Sequence, residues 1–473
     1  MGPRLRSALA VGLSTAVLLP ATASAAMAPG PGSGAASGAA SGTVPGTAAA
    51  AGHRKPKVIK VKVDPRMFGV HDMVRSSLTR AGTGSIRLWD SFTTWPDLQS
   101  GGPDTDFTRL DEIVRKAHAN GTEVTLVLAL TPAWAAASPD HTAPTDAPHL
   151  AAFKAFVTDV MTHYKNFFGK GKRGIANYQV WNEANISTFW TGTPTQMAQL
   201  LKTTWQVRNK VDPGARVIAP SMVARLGYEQ TWIKKFYALK VGGKPVWKYA
   251  DALSFSLYPL DTYPSGSKTR PGIPEDAIAL LHTVQGLLAK DKVPSSIPKW
   301  DSEVNYGLRA GALGGTAASP ISNGRQVAYV MRTYLLNVAA GLQRVYWYAY
   351  DMGLLASGGT LGNTLLTDPA HRTDGILTPA GKAFTRVQSW MRGTLVGTSS
   401  KRPCAADRRG TYTCVVQYAK GKGRIYWNPN RTVKVTLVKS AKKRVDEYGH
   451  AGSVRGGKRI KVGYAPVLVR STH

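Results

Sequence analysis

Tyr178-Gln179-Val180-Trp181-Asn182-Glu183-Ala184-Asn185 and Pro298-Lys299-Trp300-Asp301-Ser302-Glu303-Val304-Asn305-Tyr306 are two short, largely apolar runs that each arrive at a glutamate. Each reads as a buried strand delivering a carboxylate to its C-terminal end. Around them the chain keeps one beat. Strand-like runs fall at 67–72, 85–89, 124–130, 175–183, 216–220, 252–258, 298–303 and 344–350. Helical spacing falls at 107–119, 149–167, 195–211, 228–239, 275–289, 325–340 and 378–392. In 107–119, for example, Leu110, Ile113, Val114 and Ala117 share one face before Asn120-Gly121 ends the run. Such alternation predicts an α/β fold, a (β/α)8 TIM barrel, whose active sites lie at the C-terminal ends of the strands.

From about Thr394 the rhythm changes to short β-rich runs at 412–418, 423–427, 432–438, 459–464 and 467–470, separated by Gly, Pro, Asn and Lys. A small C-terminal β-sandwich is expected there, and the run at 58–63 is a candidate extra strand for it. The expected division is therefore a signal peptide at 1–25, a linker at 26–56, the barrel at 57–393 and the sandwich at 394–473. Arg4 and Arg6 precede an apolar stretch and the small-residue site Ala23-Ser24-Ala25, the pattern of an export signal. The Ala, Gly, Ser, Thr and Pro of the linker bury too little to offset the entropy of ordering it.

The 473 residues carry 60 Lys and Arg against 28 Asp and Glu, a formal charge of +32. That field favours anionic surroundings. No zinc-finger spacing, aromatic RNA-binding signature or basic heptad region accompanies it, so an anionic cell-wall polymer is expected rather than nucleic acid. General solubility is the competing explanation of the charge. No membrane span is expected beyond the signal, and the chain is expected to be secreted, with cell-wall association in view. The only cysteines, Cys404 and Cys414, flank the turn-like Arg408-Arg409-Gly410, and in an exported chain they are expected to form a disulfide across a hairpin.

Two carboxylates on one barrel rim have a known use. Retaining cleavage of a glycosidic bond needs one protonated carboxyl to assist departure and one ionised carboxylate to attack, about 5–5.5 Å apart. Trp181-Asn182-Glu183 and Ser302-Glu303 resemble the motifs of clan A glycoside hydrolases, the 4/7 superfamily. The likeness is strongest to family 39 and related polysaccharide-cleaving enzymes, over roughly residues 66 to 395. The resemblance implies that Glu183 is the general acid/base and Glu303 the nucleophile. It further implies that Asn182 binds a sugar 2-hydroxyl, that Arg87 orients the nucleophile, that Tyr258 hydrogen-bonds it, and that Trp347 floors the sugar site. Many relatives carry histidine two positions before the tyrosine; here it is Ser256.

Aromatics gather at the same strand ends and loops: Trp89, Trp95, Trp134, Phe189, Trp190, Tyr263, Tyr306 and Tyr350. Some of them, Trp134 among these, are candidates to stack on sugar rings. His71, Asp72 and Asp90, ending the first two strands, are candidates to bind sugar hydroxyls, each with an ordinary structural role as the alternative. No paired histidine spacing or phosphate loop is present, so no metal or cofactor is expected. The expected partner is a polysaccharide or oligosaccharide, with a catalytically silent carbohydrate-binding barrel and a transglycosidase as the competing readings.

Overall fold

Eight strands stand side by side: β1 (Phe68–His71), β2 (Ser85–Leu88), β3 (Glu123–Leu128), β4 (Asn177–Val180), β5 (Arg216–Ile218), β6 (Leu253–Phe255), β7 (Lys299–Val304) and β8 (Arg344–Trp347). The computed structural model describes residues 58–71, 82–89, 91–138, 140, 144–260, 262–265, 268–307, 321–351, 364–368, 376–397 and 403–471. The expected signal and linker lie outside the described residues. Neighbouring strands pair in parallel from β1 through β5 and from β6 through β8, and β8 returns to β1. A parallel bridge between Ile218 and Ala252 joins β5 to β6. The sheet is thus a nearly closed barrel.

Among the described residues seven helices of eleven residues or more wrap it: α1 (Thr108–Ala119), α2 (Leu150–Tyr164), α3 (Pro194–Val211), α4 (Gly227–Tyr237), α5 (Pro274–Lys290), α6 (Asn323–Ala340) and α7 (Pro379–Met391). In α1 the buried residues are Leu110, Ile113, Val114 and Ala117, the four that helical spacing selects. Proline in the first turn starts α3 and α7 where no intrahelical N–H is needed, behind the capping residues Thr193 and Thr378.

Register separates the two faces of the barrel wall. Phe68, Val345, Val70 and Trp347 point to the helices; Phe68 packs on Tyr334 of α6 and Phe384 of α7. Residues at the alternate positions fill the interior, which is unusually polar. At the strand starts Glu123 takes Arg344 at 2.7 Å, with Arg216 at 3.5 Å and Arg66 at 3.6 Å. Above it lie Trp300, Tyr346 and Ile218, then Thr125, Gln179 and Arg87. Gly69 is required in this layer, because a Cβ there would stand 2.6 Å from the Tyr346 ring.

The C-terminal part contains β9 (Thr394–Val396), β10 (Ala405–Ala406), β11 (Tyr412–Gln417), β12 (Lys422–Trp427), β13 (Val433–Thr436), β14 (Ala441–Val445), β15 (Ala451–Ser453), β16 (Arg459–Val462) and β17 (Val467–Ser471). One antiparallel sheet runs in the order Lys60–Lys62, β9, β11, β12, β17, β14, β15, with β10 on β11. The two-stranded β13–β16 sheet packs across it through Tyr426, Leu437, Val462 and Val469. The early strand Lys60–Lys62 therefore belongs to the sandwich, not to the barrel that follows it. Cys404 and Cys414 form the disulfide, bridging the short hairpin of β10 and β11. Trp427 of the sandwich donates to Glu275 of α5 at 2.8 Å, and Glu275 also pairs with Arg332 of α6, so a buried polar contact ties the two parts.

Candidate active site

The rim at the C-terminal ends of β1, β2, β4, β6 and β7 holds the candidate residues. Strict alternation would not put both glutamates there. On β4, Asn177 and Gln179 face inward, but Trp181 takes a left-handed backbone with φ of 62° and Glu183 has φ of 38°. These two departures, strained for residues with a Cβ, break the period and turn Asn182 toward Arg87. Trp181 is held there by its indole, which donates to Phe189 O at 2.6 Å and meets Trp190 edge-to-face. On β7, Trp300 packs inside, whereas Asp301 faces α6, with Asn337 at 3.4 Å. A register irregularity between Asp301 and Val304 then re-aims Glu303 to the interior.

Arg87 is wholly buried and organises the site. Its guanidinium donates to Gln179 Oε1 at 2.8 Å, Asn182 Oδ1 at 2.6 Å and Glu303 Oε2 at 3.0 Å, and it also meets His71 Nε2. His71 Nε2 lies 3.0 Å from the same oxygen of Glu303. Tyr258 donates its hydroxyl to the other oxygen, Oε1, at 2.9 Å. Ser221 Oγ accepts from the Glu183 backbone N–H at 2.8 Å and donates to Asn182 Oδ1 at 3.3 Å. Asn185 then staples the loop after β4 to the one after β5 through Val223.

The two carboxyls differ in proton affinity. Glu183 is pushed up to about 7, first by burial and then by the charge of Glu303, against the pull of Arg225, Ser256 and Arg87. Burial alone would also raise Glu303, but His71, Arg87 and the Tyr258 hydrogen bond outweigh it and hold its pKa below the ordinary glutamate value. Between the two pKa values, below about pH 7, one carboxyl therefore keeps its proton while the other is ionised.

Glu183, Glu303, Asn182, Arg87 and Tyr258 are thus gathered into one constellation. His71 is there too, but completely buried against Arg87 and Glu303, a partner of the carboxylate rather than of a sugar hydroxyl. Trp347 is not brought to the pocket. It lies on the helix-facing side of β8, fully buried, with its indole donating to Thr364 O at 2.7 Å. The next residue, Tyr348, presents the aromatic ring, edge-to-face with His71 at 4.8 Å. Nor is Trp134 in the constellation: its indole donates to Gln99 O, and it borders a separate depression of about 500 Å³ with Phe107 and Phe156. Trp89, Trp95, Trp190, Tyr306 and Tyr350 are buried packing residues. Asp72 and Asp90 lie outside the described residues. Gln179, Ser221, Arg225 and Tyr348 join the site without a signal in the sequence beyond their nearness to strand ends.

No family model matches the chain, and no curated protein matches it by sequence. Solved structures do match. A family 39 glycoside hydrolase from Bacteroides cellulosilyticus WH2 superposes with a TM-score of 0.63 at 17% identity, covering 86% of this chain and 81% of that one. A glucosidase from Croceicoccus marinus superposes at 0.61 and 12% identity, covering 88% and 98%. A monomeric beta-xylosidase from Caulobacter crescentus CB15 superposes at 0.61 and 15% identity, covering 89% and 98%. At such identities the likeness is one of fold, and the chain has the barrel-and-sandwich architecture of these proteins.

Proposed function

We propose that the chain is an exported retaining glycoside hydrolase that cleaves β-linkages in a polysaccharide or cell-wall glycan. One observation carries the reading: two buried glutamates at one rim have proton affinities driven apart, Glu183 up to about 7 and Glu303 down. The names of the structural neighbours, a glucosidase, a beta-xylosidase and a family 39 glycoside hydrolase, support the reaction class. Export is supported by the charged, apolar and small-residue pattern of the N-terminus and by the cysteine pair.

In this reaction Glu303 attacks the anomeric carbon while Glu183 gives its proton to the departing oxygen, leaving a glycosyl ester on Glu303. Esterification removes the negative charge that raised Glu183. Glu183, now ionised, takes a proton from water, whose oxygen attacks the same carbon and frees Glu303. Arg87 and Tyr258 hold one oxygen each of the nucleophile, fixing its attack direction. With its side-chain oxygen occupied by Arg87 and Ser221, Asn182 offers its amide protons to a sugar hydroxyl.

The test is incubation with a panel of activated 2-fluoro glycosides, followed by intact mass and peptide mapping. A covalent sugar adduct on Glu303 is expected. Retained glycan binding with no adduct from any sugar would replace the enzyme with a silent binding barrel.

A further inference from the structure

A second concave site lies away from the glutamates, where the end of α7 meets the sandwich. The depression measures about 430 Å³, within the range of about 300–1,000 Å³ typical of small-molecule sites. Four of its lining residues are cations: Arg392 just past α7, Lys420 and Lys422 at the β11–β12 turn, and Arg470 on β17. None is an acid. All four cations are exposed, and among the described residues none is in an ion pair. Some exposed cations elsewhere on the barrel, such as Arg66, Arg115 and Lys116, do have carboxylate partners.

The floor is built as well as the rim. Tyr418 lies across β12, permitted by Gly423, where a Cβ would come within 2.8 Å of the phenol ring. Its hydroxyl donates to Trp390 O at 2.7 Å, and the Arg470 guanidinium sits 5.3 Å from the ring centroid. Hydrogen bond and cation–π contact fix Tyr418 and Arg470 together, leaving the guanidinium edge for a ligand.

We propose that this groove binds a carboxylate-bearing polysaccharide, holding the chain on its anionic substrate or surroundings independently of the catalytic pocket. Several cations without a carboxylate partner among the described residues, set around a shallow trough, suit the repeated carboxylates of a polyuronate, with Arg392 and Arg470 able to make bidentate contacts. Nucleic acid fits less well. Single-strand binding relies on successive aromatic platforms for bases, whereas here the one lining aromatic already carries the Arg470 guanidinium.

The experiment uses the full chain and sodium polygalacturonate as probe in affinity electrophoresis, with neutral xylan and a single-stranded oligonucleotide of matched charge alongside. Lys420→Gln/Lys422→Gln/Arg470→Gln is compared with Lys434→Gln/Lys442→Gln/Lys458→Gln, which removes the same charge from exposed positions elsewhere in the sandwich. The groove variant is expected to lose at least tenfold in polygalacturonate affinity, the control variant less than twofold, and cleavage of a small activated glycoside is expected to be the same in both. The double variant Lys420→Gln/Lys422→Gln, which leaves Arg470 on Tyr418, is expected to lose at least threefold with an unchanged melting temperature. Equal losses in groove and control variants would reduce the effect to net charge and overturn the site, as would tighter binding of the oligonucleotide than of polygalacturonate. Because the proposal is read from binding, failure of the hydrolase reading leaves it standing, and the reverse.

Discussion

Arg87 donates to Glu303 Oε2 at 3.0 Å, closing a separation of 216 residues with one buried ion pair. A lysine would keep the charge but not the fork that also reaches Gln179 and Asn182. Arg87→Lys is therefore expected to lower kcat by about 10²-fold, consistent with the cost of a small misplacement at a reacting centre. Arg87→Gln, which removes the charge as well, is expected to shift the acidic limb of the kcat/KM profile upward, because the charge of Arg87 helps hold the Glu303 pKa down. An unchanged acidic limb in steady-state kinetics would separate Arg87 from the ionisation of Glu303.

The pH profile should be bell-shaped. Glu303 must be ionised, so activity rises as pH climbs through its depressed pKa; Glu183 must be protonated, so activity falls as pH passes about 7. Glu183→Gln removes the proton donor and is expected to cost about 10²–10⁴-fold on substrates with poor leaving groups. A far smaller loss is expected with activated leaving groups, and comparing two aryl glycosides checks it.

The same residue makes a stability prediction. A carboxyl whose folded pKa is raised leaves the folded state binding more protons, so stability declines between the ordinary value of 4.5 and about 7. Glu183→Gln removes that decline. At pH 8 the variant is expected to be more stable than the parent by roughly 2–3 kcal/mol, with little difference at pH 4, as measured by urea unfolding.

At the opposite end of the barrel Glu123 is the acid among Arg344, Arg216 and Arg66. Glu123 and Arg344 are the buried pair of this group, Arg216 and Arg66 reaching solvent, and removing one partner from a buried pair costs about 3–5 kcal/mol because the other charge is left without compensation. Glu123→Gln is expected to lower stability by that amount while leaving the pH limbs of activity in place. A neutral effect on unfolding would mean that water already serves these arginines.

Cys404→Ala/Cys414→Ala is expected to cost about 2–3 kcal/mol, since the bridge closes a short loop and mainly restricts the unfolded chain. Thermal unfolding of the variant, with and without reductant, checks this. The parent should fall to the level of the variant on reduction, and the variant should not respond.

The elements were legible where a single period persists. Helices such as α3 and α6, and the strands carrying Glu183 and Glu303, lie within a few residues of their expected bounds because their packing obeys the period. What alternation could not show was where it stops. The left-handed Trp181 and the irregularity in β7 aim the two glutamates, and neither leaves a compositional mark. The same blindness put Trp347 in the pocket in place of Tyr348: resemblance identifies a motif, while the facing of a side chain depends on one residue of register. The strands β14 and Lys268–Pro271 were missed for another reason. Ala441-Lys442-Lys443-Arg444-Val445 and the Lys, Thr, Arg and Pro of the second run look like solvated loops, and backbone pairing alone makes them sheet. Arg87 was placed by resemblance, but its full set of four partners depends on strands β1, β4 and β7 converging.

The pairing of Lys60–Lys62 with Thr394–Val396 has an architectural outcome. The polypeptide enters the sandwich, leaves it to build the whole barrel, and comes back, so the catalytic module is an insertion held at both ends like a bead on a closed clasp. Trimming the chain before residue 64 would bare the β9 edge, and stopping it near residue 393 would strip the partners of the entering strand. Neither module is therefore a natural fragment, and heating should melt the pair in one step.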